Sequence, residues 1–269
     1  MAERFVYVIG DIHGQLTKLI HVLYHARLID PDGMWTGQPL WAGGQATLWF
    51  LGDFVDRGPA GLGVIDLVMR LQREAGEAGG AVHAILGNHE IYLLGAHHFG
   101  DIPTGDNGTF KSGWLQNGGL PADLTGLTQA HIDWISHLPA IAQEDGHLLV
   151  HADALFYRDY GETVFSVNAT IAHILAGRDT PAWDQLLIRF AQRMAFHESR
   201  IDGSTNAKAF LDQYGGRHLV HGHTPIAVMT HQPEATITTP HFYADGRCLN
   251  CDGGMYRVGP GFVHLLDIL

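Results

Sequence analysis

Five short clusters carry groups able to bind a cation or move a proton. They are Gly10-Asp11-Ile12-His13-Gly14, Gly52-Asp53-Phe54-Val55-Asp56-Arg57-Gly58, Gly87-Asn88-His89-Glu90, His151-Ala152-Asp153 and His221-Gly222-His223-Thr224. Aspartate and histidine supply oxygen and nitrogen ligands, and asparagine a neutral carbonyl oxygen. None of the clusters contains a cysteine, so the set suits borderline divalent ions better than a structural zinc knot. Asp11 and His13, two residues apart, can point to one side at a strand end, and the flanking glycines let a ligand approach closely. Singly, each cluster reads as an ordinary turn, a hydrogen-bonded histidine or, at Asp56-Arg57, a local ion pair. Their joint occurrence in one short chain is what those readings fail to explain.

The positioning elements follow from the patterning around the clusters. Phe5 to Ile9 is a short apolar run ending at Gly10, as a buried strand would be. Leu16, Leu19, Ile20 and Leu23 recur at helical spacing, predicting an amphipathic helix over 15–28. A Gly/Trp-rich stretch to Gln45 reads as an irregular loop after the Pro31-Asp32-Gly33 turn. Thr47 to Leu51 is the second strand, Leu62, Ile65 and Met69 mark the second helix, and Ala81 to Leu86 is the third strand. This order predicts a mainly parallel sheet with covering helices. From Gly95 to Leu127 the pattern dissolves into glycine, asparagine and threonine, as in an insertion, and Thr128 can cap a helix to His137. A strand is expected at Leu148 to Val150. Residues 162–214 are mainly helical, with Trp183, Leu186, Leu187 and Phe190 on one face. Short strands are expected around Leu219-Val220, Ala235 to Thr238, Cys248 to Asn250 and Phe262 to Leu266. Every cluster therefore sits at a strand end, and the carboxyl ends of strands are where open α/β sheets bind ligands.

Composition bounds the partners. The 269 residues suffice for a sizeable core, and 46% apolar against 16% charged residues indicates a globular chain. Sixteen basic against 28 acidic residues give a net charge of −12, which argues against a nucleic-acid partner or an anionic membrane. Two cysteines make no disulfide framework, no apolar run approaches the roughly 20 residues of a membrane span, and a strand-like segment begins almost at once. A cytoplasmic protein without a signal peptide is the expectation. Nineteen histidines raise the odds of metal or acid–base chemistry without assigning any of them.

In order and content, the clusters resemble the calcineurin-like metallophosphoesterases, specifically their phosphoprotein phosphatase branch. Gly-Asp-x-x-Asp-Arg-Gly at 52–58 followed by Gly-Asn-His-Glu at 87–90 marks that branch. His151-Ala152-Asp153 and Gly222-His223-Thr224-Pro225 are closer to bacterial and phage members. Leu93-Leu94-Gly95 and Asp252-Gly253-Gly254-Met255 are similar to the Shewanella-like group. The resemblance implies a single α/β domain over 1–269 with insertions at about 95–127 and 154–214, built on a β-sandwich of two mixed sheets flanked by helices. It also implies a dinuclear centre. Asp11, His13 and Asp53 would hold one divalent ion, and Asp53 would bridge to a second held by Asn88, His151 and His223. Manganese is the first expectation, with iron, zinc, cobalt or nickel as substitutes. A hydroxide between two such ions can attack phosphorus in line. His89 would protonate the leaving group, Asp56 would hold its other ring nitrogen and keep it charged, and Arg57 would grip the phosphate with a planar fork. A second phosphate-gripping arginine is expected among Arg189, Arg193 and Arg200, with spacing favouring Arg193 or Arg200, while His221 is left as a neighbour.

The implied activity is hydrolysis of phosphoprotein side chains, serine/threonine or tyrosine, or of a small phosphoester. Symmetrical cleavage of dinucleoside polyphosphates is the alternative and a non-catalytic binding module the remote one. Nothing in the chain speaks to oligomeric state. Cys248-Leu249-Asn250-Cys251 has C-x-x-C spacing but lies in an expected strand, so two buried cysteines are expected rather than a redox pair. His97-His98 reads as part of a solvated loop, and Trp35, Trp41 and Trp49 as packing over the first helix.

Overall fold

A computed structural model describes residues 5–36 and 38–267. In chain order its strands are β1 (Val6–Ile9), β2 (Thr47–Phe50), β3 (Ala81–Ala84), β4 (Ile141–Glu144), β5 (His147–Val150), β6 (His218–His221), β7 (His241–Tyr243), β8 (Cys248–Asn250) and β9 (His264–Leu266). They form two sheets, ordered β3-β2-β1-β9 and β4-β5-β6-β8-β7. β1, β2 and β3 are parallel, as are β5, β6 and β8, while β9, β4 and β7 run antiparallel at sheet edges. The single sheet expected from element order is thus two mixed sheets, the architecture the family resemblance implied.

Both faces of the central strands are buried, and the side chains divide by alternation. Val6, Val8, Trp49 and Leu51 of the first sheet meet Leu149, Val220 and Leu249 of the second in one apolar layer. Ile9, Leu48 and Phe50, and on the other sheet Leu148, Val150 and Leu219, face the covering helices. The helix expected over 15–28 is shorter, Leu16–His25, and buries Leu19, Val22 and Leu23. Helix Gly61–Glu77 crosses from β2 to β3. Three helices fill the 162–214 region, Val164–Ala176, Thr180–Phe190 and Gly203–Tyr214, and Trp183, Leu186, Leu187 and Phe190 are all buried on one of them. Among the described residues no helix is long and apolar enough to cross a membrane.

Several expectations need correction. The stretch 95–127 holds the end of helix Asn88–Phe99 and the short helices Phe110–Gln116 and Pro121–Gly126. Its glycines and threonines are caps and contacts rather than loop filler: Thr109 accepts from Ser112 N, and bare Gly95 admits the Phe110 ring. Helix Gln129–Ser136 is capped by Thr128 as expected. Ala235 to Thr238 is no strand; Glu234–Thr236 is a 3-10 turn, and the strand comes later, at β7. β4 was missed, and the Gly/Trp-rich loop contains the one-turn helix Gly33–Thr36. His97 and His98 lie at a helix end, with His98 edge-on to Trp183. The tryptophans are not one cluster: Trp35 is 84% exposed, whereas Trp49 sits between the sheets. Cys248 and Cys251 are free and buried, as expected.

Candidate dinuclear metal centre

Each cluster follows a parallel strand, so the two sheets deliver all five to one end of the sandwich. Asp11 and His13 follow β1, Asp53, Asp56 and Arg57 follow β2, and Asn88 and His89 open a helix after β3. His151 follows β5 and His223 follows β6. Asp53 lies centrally: its Oδ2 is 3.5 Å from His13 Nε2, and its Oδ1 is 3.3 Å from His151 Nε2. On the first side Asp11 Oδ2 is 3.7 Å from His13 Nε2. On the second, His151 Nε2 is 2.9 Å from Asn88 Oδ1 and 3.0 Å from His223 Nδ1. All six side chains are buried.

The outer atoms of these histidines are tied to backbone. His13 Nδ1–H donates to Val55 O at 3.0 Å and His151 Nδ1–H to Leu51 O at 2.8 Å. His223 Nε2–H donates to Ala191 O at 3.4 Å. Fixing one ring nitrogen in this way orients the lone pair of the other, as in metal-ligating histidines. The carboxylates supply a second indication. Burial, with Asp252 and Asp53 nearby, raises Asp11 well above the usual carboxylate range, and burial lifts Asp252 to about 6. One oxygen of each, Asp11 Oδ2 and Asp252 Oδ2, is buried without a hydrogen-bond partner. Crowded, desolvated carboxylates with free oxygens are what divalent cations relieve. Two sets with Asp53 in common therefore fit a pair of cations.

Beside them lies an acid–base pair. His89 Nδ1 and Asp56 Oδ2 are 2.7 Å apart, and the other Asp56 oxygen accepts from Trp114 Nε1 at 2.8 Å. The expectation is that Asp56 keeps His89 charged, and burial works against that charge. Burial pushes His89 down to about 4 even beside Asp53, with Arg57, His151 and Arg193 adding to the effect. Burial likewise lifts Asp56 to about 8. Burial thus opposes charge on both partners, and their hydrogen bond offsets part of that cost. Arg57 spans the mouth, Nη1 donating to His13 Nε2 at 2.7 Å and Nη2 to His89 Nε2 at 2.9 Å. The Tyr256 ring lies 4.4 Å below its guanidinium and packs edge-on to His13.

Of the three candidate arginines, Arg189 is engaged with Asp159 at 3.2 Å. Arg193 is the one whose charge bears on both His89 and His223. Arg200 lies further out, on the wall of a cavity that Arg193 also lines. His221 is a neighbour, its Nε2 bonded to Tyr243 Oη, which also donates to Asp153 Oδ2.

Sequence reasoning gave no role to four residues that build the site, naming Glu90 and Asp252 only as members of motifs. Glu90 accepts from Asp53 N, Phe54 N and Gly87 N at 2.8–3.1 Å, tying the second loop to the helix start. Asp252 follows β8 as the other clusters follow their strands, a signal that was legible. Trp114 and Tyr256 sit in segments with no recognisable pattern.

Comparison with known proteins agrees with this geometry. Residues 6–227 match the model of the calcineurin-like phosphoesterase family. A symmetrical bis(5'-nucleosyl)-tetraphosphatase of Bordetella pertussis is 30% identical over 183 residues, 68% of this chain and 54% of the relative. The chain thus spans about half the length of that relative. Shewanella-like protein phosphatase 2 of Arabidopsis thaliana is 40% identical over 89 residues, 33% of this chain and 21% of its own. The solved cold-active protein-tyrosine phosphatase of a psychrophilic Shewanella superposes with a TM-score of 0.72 at 21% identity, over 99% of this chain and 78% of its own. The chain belongs to the calcineurin-like phosphoesterase family.

Proposed function

We propose that the chain is a metal-dependent phosphoester hydrolase acting on phosphorylated protein side chains, serine/threonine or tyrosine. The observation that carries this reading is Asp53 with one oxygen toward each histidine set, beside the His89–Asp56 pair and the Arg57 fork. Asp11, His13 and Asp53 would hold one divalent cation, and Asp53, Asn88, His151 and His223 the other. When bound, such a pair supplies a more acidic water and polarises the phosphoryl oxygens. Arg57 and Arg193 orient the phosphate through charge-assisted hydrogen bonds. Once the phosphate draws Arg57 away from His89 Nε2, that nitrogen can take a proton from solvent and deliver it to the departing oxygen, with Asp56 fixing the ring through Nδ1. Burial of His89 and Asp56 keeps bulk water from short-circuiting that transfer.

Symmetrical cleavage of dinucleoside polyphosphates is the second reading, supported by the 30% identity to a relative named for that activity. The deciding experiment is a rate panel with added manganese, comparing phosphoserine, phosphothreonine and phosphotyrosine peptides with diadenosine tetraphosphate. The highest kcat/KM is expected on a phosphopeptide. A dominant rate on the dinucleotide would replace the first reading by the second.

A further inference from the structure

A cavity of about 690 Å³ opens beside the metal centre, and its wall carries two arginines that pair with no carboxylate. Other arginines of this acidic chain are engaged with one: Arg70 with Glu74, Arg189 with Asp159, Arg247 with Asp245 and Arg257 with Glu234. Among the described residues Arg193 and Arg200 form no ion pair. The carboxylate on the same wall, Asp202, directly precedes helix Gly203–Tyr214 and bonds to neither guanidinium. Leu155, Gln192 and Asn206 complete a wall that is partly apolar and partly able to donate hydrogen bonds.

The segment bearing the inner arginine is fixed to the metal loops. Met194 N donates to Asp153 Oδ1 at 2.7 Å and Ala195 N to Asp153 O at 2.9 Å, two residues beyond His151. Ala191 O accepts from His223. Met194 itself is held in the left-handed region at φ 62°, a conformation that persists where surroundings over-determine it. Arg193 is therefore presented by a braced turn, shared between the centre and the cavity. With Arg57 and Arg193 committed to the phosphate being cleaved, Arg200 remains for another anion.

We propose that this cavity is a second oxyanion subsite, taking a carboxylate or phosphate that the substrate carries beside its scissile phosphate. The proposal rests on the hydrolase reading above and names its substrate class: phosphoesters with a neighbouring negative group. That group can be an acidic side chain in a phosphopeptide or the next phosphate of a polyphosphate chain. A guanidinium fork recognises either.

The test uses wild type and Arg200→Glu on two matched pairs of substrates. One pair is a phosphoserine peptide with flanking glutamates and its glutamine counterpart; the other is diadenosine tetraphosphate and p-nitrophenyl phosphate. Wild type is expected to favour the charged member of at least one pair about 10-fold in kcat/KM, mostly through KM, and the responding pair identifies the source of the oxyanion. Arg200→Glu should bring that ratio to one or below, and Arg200→Lys should restore part of it. Asn206→Asp, which adds charge to the same wall, serves as a second variant should Arg200→Glu misfold. Ratios near one in wild type on both pairs, or a ratio that survives charge reversal, would overturn the subsite. Titration of the metal-free protein with the two peptides reads the same ratio without turnover. Absence of any metal-dependent hydrolysis would therefore sink the hydrolase reading alone.

Discussion

Trp114→Phe isolates one hydrogen bond to the acid–base pair. A benzene ring stays while the fused pyrrole ring goes, and Asp56 Oδ1 loses its donor at 2.8 Å in a fully buried position. The indole N–H favours the carboxylate form of Asp56, and so keeps opposite His89 the negative charge that supports the ring as a charged proton donor. A hydrogen bond to a charged group is worth about 1.5–3 kcal/mol, which translates to about 10–100-fold in rate where proton donation limits the step. The expected outcome is a 10-fold or greater loss of kcat on a phosphoserine peptide, whose alkoxide leaves poorly. On p-nitrophenyl phosphate, whose leaving group needs little protonation, the loss should stay below about 3-fold. Metal stoichiometry, read by elemental analysis of the purified protein, should not change. Equal losses on both substrates, or loss of metal, would show that Trp114 serves packing alone and that the reasoning is wrong.

Two further predictions follow from contacts away from that pair. Gly222→Ala would place a methyl against Asp11 Oδ1, the oxygen that accepts from His223 N; metal affinity should fall about 10–100-fold by calorimetric titration. Glu74 accepts from Leu40 N, Trp41 N and Arg70 Nε, contacts that hold its carboxyl below the usual range against the effect of burial. A lowered folded-state pKa gives stability that is full above the ordinary glutamate value and lost as pH falls through the folded one. Glu74→Gln should therefore cost about 1–2 kcal/mol at pH 7 by denaturant unfolding, with the gap to wild type closing in acid.

Strand-end chemistry was the legible part. A buried strand shows itself as a short apolar run, and a carboxylate or imidazole directly after it must emerge at the sheet's end, so Asp11, Asp53, His151 and His223 could be placed from sequence. Residues that support them from elsewhere could not. Trp114 reaches Asp56 across 58 residues, Tyr256 reaches His13 from the other end of the sequence, and Lys18 Nζ clamps the carbonyls of Met255, Arg257 and Gly259. Such contacts are set by tertiary packing, which local spacing does not encode. The second sheet was obscured for a related reason. β4 and β7 are edge strands of four and three residues, the first ending in Gln143 and Glu144, too short for alternation to register.

The glycines around the motifs also acquire a sharper meaning. His13, Asp53, Asp56, Arg57 and His223 all have φ between 48° and 67°, a region that costs a residue with a Cβ roughly 1–2 kcal/mol. Aspartate and histidine enter this region more readily than most side chains, but nothing local marks which of them does, so the strain is invisible in sequence; what the sequence displays is the glycine beside it. The structure shows why that glycine is needed. At Gly52 a Cβ would meet the backbone of Gly87 at 2.6 Å, so the second and third loops touch through it. The strained loops are held by one another: Ile12 N and His13 N both donate to Asp53 O at 3.0 and 2.8 Å, and Glu90 bonds the backbone on the far side of Asp53. Backbone strain of this kind persists only where neighbours over-determine it. Because the bracing bonds run between loops, the motifs form one mechanical unit, and loosening one loop should misplace ligands contributed by the others.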